Sequence, residues 1–366
     1  MRRVWTGRAL CPPAPLLIAL GISAAQPLVL PPAQPTPAGV ERFRPAAAHT
    51  RLEGALHADT NVRPLFREAS TLADAGDSFY YQSSSMFRFE HALGRWRVGY
   101  AYGQAELFRG NRGAAQLFLE AEQGELRNEG AAPVAASLNR SAVHRWSLSY
   151  EDGATTGEAR LRYRLSAHYL ALQRLQLGTL IGQRTGNQFD GALRLTTTRG
   201  LAPQEARGQG VALDAEATLE WRRWLFGVRI ENLWSTLEVQ QAQLIAAQVR
   251  VNQLIPDADG FLRAPPLLEG RVERVQVQTR AARTVEVCAT YATGGSQVAL
   301  LTRYDFEWRF GVGVGMDGLW SVFWLHRPAW QVGYSSDRWQ AMLMMDGWSR
   351  ERSRRVSASL GYAVVW

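Results

Sequence analysis

Three arginines, Arg160, Arg162 and Arg164, stand two residues apart, and His168 follows on the same alternation. A spacing of two puts them on one face of a strand. Like charges this close repel unless carboxylates or an anionic solute neutralise them. Asp214, Glu216 and Glu220 share a face of a second alternating segment, and Arg229 and Glu231 share a face of a third. Two chemistries follow. One is an arginine–carboxylate network that holds a wall together. The other is a transverse field that orients polar solutes, as ladders of charge do in pores.

Nucleophilic hydrolysis would need a serine, a histidine base and a third group to orient it. His91 and His168 fall on polar faces, and His144 and His326 fall on apolar faces near aromatics. No spacing links any of them to a serine, and no Gly-x-Ser-x-Gly occurs. The two-histidine zinc motif and phosphate-cradling glycine loops are missing as well. Gly311-Val312-Gly313-Val314-Gly315 follows the period of a strand. The sequence therefore predicts no enzyme, catalytic residue, metal site or cofactor. All 41 basic residues are arginine, none lysine, against 33 acids, for a formal charge of +8. The lack of lysine reads as codon bias. The arginines are scattered among acids without a basic stripe, so no nucleic-acid partner is expected.

The elements that must carry these faces alternate with a period of two. Over 159–169, Leu161, Tyr163, Leu165 and Tyr169 oppose the arginines. Over 211–221, Val211, Leu213, Leu219 and Trp221 oppose the acids. Arg222-Arg223 then turns the chain into 224–231. The pattern recurs at 95–103, 142–151, 284–291, 307–316 and 356–366, and three short strands are expected within 319–345. A hairpin joins 85–91 to 95–103 through Leu93-Gly94. Turns are expected at Asp152-Gly153, Asp317-Gly318, Arg327-Pro328 and Ser336-Asp337. Residues 104–141 and 235–270 alternate weakly. Ala114–Leu126 could be a helix or a strand, 104–141 could plug a lumen, and 255–270 reads as a long loop.

A soluble sandwich also alternates, but its polar face meets bulk water. Here glycines crowd the polar faces at 99–103 and 311–315. Eleven-residue segments match the roughly 9–11 residues a tilted strand needs to cross a bilayer. Mean hydropathy is slightly negative, as a barrel with alternating lipid and lumen faces requires. Of the 13 tryptophans, many sit at segment ends. Trp96, Trp146, Trp221, Trp224, Trp308, Trp339 and Trp366 are expected to form interface girdles.

The chain ends Val356-Ser357-Ala358-Ser359-Leu360-Gly361-Tyr362-Ala363-Val364-Val365-Trp366. An alternating last strand closed by an aromatic residue resembles the closing strand of Gram-negative outer-membrane β-barrels. The resemblance is to the class and singles out no family. It implies an all-β, antiparallel, up-and-down transmembrane barrel, and counting the alternating segments gives about sixteen strands, within a range of 12–18. It also implies an outer-membrane location and insertion by the barrel assembly machinery. On that fold, Arg160, Arg162, Arg164, His168, Asp214, Glu216, Glu220, Arg229 and Glu231 become lumen and selectivity candidates.

Residues 1–25 have a basic start, the apolar run Leu16–Ile22 and the small residues Ser23-Ala24-Ala25, the layout of a cleaved secretory signal. Cys11 lies inside it, leaving Cys288 alone and excluding an internal disulfide. Residues 26–50, rich in proline, are expected to form a periplasmic segment that could meet a periplasmic partner, and 51–366 the barrel. Outer-membrane lipids, including lipopolysaccharide, are the expected surroundings. The expected function is a porin-like channel for hydrophilic, anionic solutes. The alternatives are a barrel component of surface-polymer export or secretion, and a lipid-modifying enzyme.

Overall fold

The computed structural model describes residues 27–29, 49–60, 78–123, 131–186, 188–198, 206–251, 255–256, 262–263, 267–305, 307–325, 328–336, 338–346 and 354–365. The expected signal segment, most of the proline-rich segment and Trp366 lie outside these residues.

The elements run β1 (His49–Thr60), β2 (Ser78–Leu93), β3 (Trp96–Asn111), α1 (Arg112–Gln123), β4 (Ala132–Thr156), β5 (Ala159–Thr185), β6 (Gln188–Thr197), β7 (Arg207–Trp221) and β8 (Trp224–Val251). They continue with β9 (Ile255–Pro256), β10 (Leu262–Arg263), β11 (Leu267–Thr279), β12 (Thr284–Thr293), β13 (Ser296–Tyr304) and β14 (Trp308–Met316). The last are β15 (Leu319–Trp324), β16 (Ala329–Ser335), β17 (Trp339–Met345) and β18 (Arg355–Val365).

Period-two alternation becomes an inverted protein. Leu300 and Val314 are 61% and 59% exposed, while Arg229 and Arg355 are 5% and 2% exposed. Apolar residues outside and charges inside are what a barrel in lipid requires and what a water-soluble sandwich avoids.

Closure comes from β1 and β18, which pair antiparallel from His49↔Val365 to Asp59↔Arg355. Fourteen strands close the wall in the order β1 to β5, then β7, β8 and β12 to β18. β6 and β11 belong to the same sheet of 16 strands but lie outside the closure. β5 pairs with β7 along its first half and with β6 along its second. β8 divides in the same way, first between β7 and β12, then between β6 and β11. The long strands carry register shifts at Ala142/Val143, Leu213/Ala215 and Val275/Val277. Asn232 and Gln241 on β8 take left-handed conformations at φ 53° and 58°. Such bulges bend a strand and change which face a side chain meets.

One end of the barrel has tight turns. Gly294-Gly295 and Asp317-Gly318 both have positive φ at their two central positions, the conformation of a tight hairpin. The expected Asp152-Gly153 turn is not one. Both residues lie inside β4, and the chain reverses after Thr156, at Gly157 with φ 58°. Asp152 still bonds the Gly153 amide at 2.8 Å, so the local Asx chemistry is present without the reversal. Residues 104–141 build wall strands and a helix rather than a plug within their described part. α1 starts under Asn111, whose Oδ1 accepts the Ala114 amide at 3.0 Å. It packs Ala114 and Ala115 against Phe79, Val134 and Phe189 at the long-loop end.

The wall is uneven. β4, β5 and β8 have 25, 27 and 28 residues, and β15, β16 and β17 only 6, 7 and 7. At about 3.3 Å per residue and a tilt near 45°, 27 residues rise about 60 Å and six about 14 Å, against an apolar band of about 25 Å.

Candidate functional site in the barrel lumen

Inward-facing charges on neighbouring strands form one continuous belt of alternating sign. It begins with Arg88 bonded to Glu90 on β2. Arg97 on β3 donates to Glu90 at 2.9 Å and to Glu151 on β4 at 3.1 Å. Arg164 on β5 donates to Glu151 at 3.1 Å and lies 3.8 Å from Glu216 on β7. Arg229 on β8 donates to Glu216 at 2.9 Å and lies 3.5 Å from Glu286 on β12. Arg303 on β13 donates to Glu286 at 3.0 Å and lies 3.3 Å from Asp305. Arg309 on β14 lies 3.3 Å from Asp305 and 3.7 Å from Asp59 on β1, which also holds Arg355 on β18.

The belt contains seven arginines (Arg88, Arg97, Arg164, Arg229, Arg303, Arg309, Arg355) and seven carboxylates (Glu90, Glu151, Glu216, Glu286, Asp305, Glu307, Asp59). It starts near the tight-turn end on β2 and reaches the long-loop end at β13 and β14. A closed barrel has a staggered register, so a row of hydrogen-bonded neighbours climbs around it.

The candidate residues take different places on this wall. Arg164, Glu216 and Arg229 are brought together in the belt. Glu231 lies one step further along the inner face of β8 and borders both lumenal cavities. His168 and Asp214 form a separate pair, Nε2 to Oδ2 at 2.8 Å, with Arg145 at 3.8 Å from the same carboxylate. Asp214 also accepts the Asn232 amide at 2.7 Å, which fixes the β8 bulge. Arg160 and Glu220 face each other in register nearer the tight-turn end. Arg162 is buried, and its Nη1 has no hydrogen-bond partner among the described residues.

Two histidines could serve as a hydrolytic base: His57, which is hydrogen-bonded to Ser357 at the larger cavity, and His168. The Nδ1 of His168 has no partner among the described residues. Ser147 stands opposite it in register, but the Ser147 Oγ leans toward β3, 2.5 Å from where a Cβ on Gly99 would sit. The His168–Asp214 pair therefore lacks an engaged nucleophile. His91, expected to face inward, shares the outward face of β2 with exposed Phe87 and bonds Thr50 at 2.9 Å. The alternation was right, but the inward set on this strand is Met86, Arg88 and Glu90. His144 stacks among Tyr100, Tyr102 and Trp146, as expected for an aromatic face. Among the described residues no three His, Cys, Asp or Glu side chains gather as a metal site would require.

Trp96, Trp146, Trp221, Trp224, Trp308 and Trp339 all have exposed side chains. Trp96, Trp224, Trp308 and Trp339 pack on tyrosines with ring centroids 4.6 to 5.1 Å apart. All but Trp146 sit at strand ends.

The belt skips β15, β16 and β17. There the inner face is largely apolar, with Trp320, Val322, Trp324, Met342 and Met344 buried beside Cys288 and Leu301, and with Gln331 and Gln340 as buried polar residues. Gly311, Gly313 and Gly333 make room for the apolar side chains. A Cβ on Gly333 would fall 2.3 Å from Trp320 Cζ2. The glycine run on β14 is thus a lumen face, filled by the indoles of the next strand.

Residues 27–29, from the segment expected to be a periplasmic tail, lie inside the barrel. Leu28 pairs in parallel with Ala281 through bonds of 2.7 and 2.8 Å to Arg280 and Ala282. Its side chain is fully buried against Val143, Leu170 and Leu237. Asn139 donates to the Pro27 carbonyl at 2.8 Å, and Ser141 to the Val29 carbonyl at 2.6 Å.

Two cavities lie in the lumen among the described residues. One lies among Arg88, Arg145, Arg164, His168, Asp214 and Glu216. The other, the larger of the two, lies between the Arg303–Arg309–Arg355 end of the belt and the wall of β15 to β17. Met86 and Glu231 border both.

No protein-family model and no curated protein matches the chain. Among solved structures, similar folds include a mutant of the TodX monoaromatic hydrocarbon channel, at 11% identity, TM-score 0.45, with 88% of this chain and 92% of that chain covered. The toluene transporter TodX of P. putida is 11% identical, with TM-score 0.41 and coverages of 88% and 91%. The outer-membrane protease OmpT of Escherichia coli is 9% identical, with TM-score 0.27 and coverages of 89% and 100%. All three are outer-membrane β-barrels. The likeness is one of barrel architecture and carries no argument about solute or activity.

Proposed function

We propose that this protein is an outer-membrane channel that passes hydrophilic, anionic solutes. The observation that carries the proposal is a pair of charged lumenal cavities, both bordered by Met86 and Glu231, inside a closed wall. The apolar exterior supports a bilayer location, and the outward tryptophans at strand ends suit its two interfaces. Insertion would follow from the barrel assembly machinery acting on β18. Anion preference is supported by the lining of the larger cavity, where four arginines stand against two carboxylates, Glu231 and Asp305. Most of the belt's charge is internally compensated, so the preference is expected to be modest.

Purified protein in planar bilayers is expected to give stepwise conductance with anions more permeant than cations. A silent barrel would sink the channel proposal and favour a component of polymer export or secretion. Hydrolysis of lipid substrates lost in His57→Ala or His168→Ala would favour the enzyme instead.

A further inference from the structure

The larger cavity is built of two unlike halves. On one side Arg303, Arg309 and Arg355 end the ionic belt. On the other stand Trp324, Met342 and Met344, all buried, with Val29 of the lumenal segment and Met86, which also borders the second cavity. Four arginines, with Arg283 the fourth, and two carboxylates, Glu231 and Asp305, line the space. The lining is therefore net positive.

Arg309 is poorly satisfied for so buried a cation. Its side chain is 9% exposed. Its carboxylate neighbours stand off at 3.3 Å for Asp305 and 3.7 Å for both Asp59 and Glu307. Among the described residues its Nε has no hydrogen-bond partner, and neither has Nη1 of Arg355. A buried donor without an acceptor is costly, and a charge-assisted bond to an incoming anion relieves that cost. The facing wall offers the reverse chemistry. Thioethers and an indole are polarisable and adapt to irregular apolar shapes. Gln331 is its polar exception, and it is already engaged by the Trp324 Nε1–H at 2.9 Å. A small inorganic anion would leave this wall unused, and a neutral hydrocarbon would leave the guanidinium groups unmet.

We infer that this cavity is a binding site for organic monoanions that carry an apolar body, the carboxylate or equivalent group meeting Arg309 and Arg355 and the body lying on Trp324, Met342 and Met344. The inference deepens the channel proposal, since it names the solute class, and its location within the lumen rests on that proposal.

Equilibrium dialysis of the purified full-length barrel tests the site with three probes: 4-phenylbutyrate, its neutral amide 4-phenylbutanamide, and butyrate. The acid is expected to bind at least tenfold tighter than either the amide or butyrate. Arg309→Gln should reduce the acid's affinity at least tenfold and leave the amide's unchanged. Met344→Ser should weaken the acid and amide together and leave butyrate unchanged. Heat-modifiable electrophoretic mobility confirms that each variant is folded, and the two variants probe opposite halves of the site independently. Equal binding of acid and amide would overturn the anionic half of the inference. Equal binding of 4-phenylbutyrate and butyrate would overturn the apolar half. Conductance without selective binding would remove this inference and leave the channel standing. Selective binding by a silent barrel would leave the site and remove the channel.

Discussion

Arg355 and Asp59, 296 residues apart, are bonded to each other and are both 2% exposed. Arg355 Nε donates to Asp59 Oδ2 at 2.9 Å. Nη2 lies 2.8 Å from the same oxygen, at an angle that makes it an ion pair rather than a second hydrogen bond. Tyr80 on β2 donates to the other carboxylate oxygen at 2.7 Å. The two residues are also register partners where the first and last strands meet. One buried ion pair thus joins the barrel's closing seam to the end of its ionic belt.

Breaking that pair from one side leaves a buried charge uncompensated. Asp59→Leu or Arg355→Met alone is expected to lower stability by roughly 3–5 kcal/mol. The double substitution should cost less than either single, because no charge is then stranded. Denaturant unfolding in detergent, followed by the loss of heat-modifiable mobility, reads all three. A double variant worse than both singles would contradict this account of the seam.

Arg160, Arg162 and Arg164 are expected to act on the pore and on the wall at once. Replacing all three by alanine removes three positive charges from the inner face of β5 and strips Glu151 and Glu216 of Arg164. The permeability ratio is expected to move toward cations, with reduced thermal stability. Reduced stability with unchanged selectivity in reversal-potential measurements would make the ladder purely a wall network.

Gly333 is expected to tolerate no side chain. Gly333→Ala places a Cβ 2.3 Å from the Trp320 ring, and overpacking of this kind costs about 1–3 kcal/mol. Gly54→Ala on β1 is the matched control, since nothing lies within 4 Å of its Cβ position. Thermal unfolding should separate the two. Equal midpoints would show that Trp320 has room to move.

Leu28 is held by backbone bonds and an apolar socket, with no charge involved. Leu28→Asp buries a carboxylate among Val143, Leu170 and Leu237, so the segment should leave its place. Single-channel conductance is then expected to rise. Conductance equal to that of the parent would mean the solute route bypasses residues 27–29.

The sequence already shows which way most side chains face. On β5, Arg160, Arg162 and Arg164 oppose Leu161, Tyr163 and Leu165, and the same rule places Gly311, Gly313 and Gly315 inward. It works because a strand's period is two whatever its partners are. It fails where bulges shift the count, as at Asn232 and Gln241 on β8, and it does not by itself say which of a strand's two faces is inward, as at His91. Asp152-Gly153 carries turn chemistry, yet pairing with Tyr163 and Arg162 on β5 keeps the strand running.

The inventory of arginines and acids is likewise plain in the chain, but their partners are not. Arg97 meets Glu151, Arg303 meets Glu286, and Arg309 approaches Asp59 only because the strands close with a particular stagger. That stagger is set by pairings between residues tens to hundreds of positions apart, and no local pattern encodes it. Arg355 shows the division most clearly. In the sequence it is one arginine just before an uncharged alternating strand. In the barrel it is the buried partner of the first strand and a wall of the larger cavity. Alternation, an intrinsic property of the strand, determined that a barrel forms and which residues line it. The register of closure, a property of the whole sheet, decided which charges pair, where the belt stops, and where an organic anion can lie.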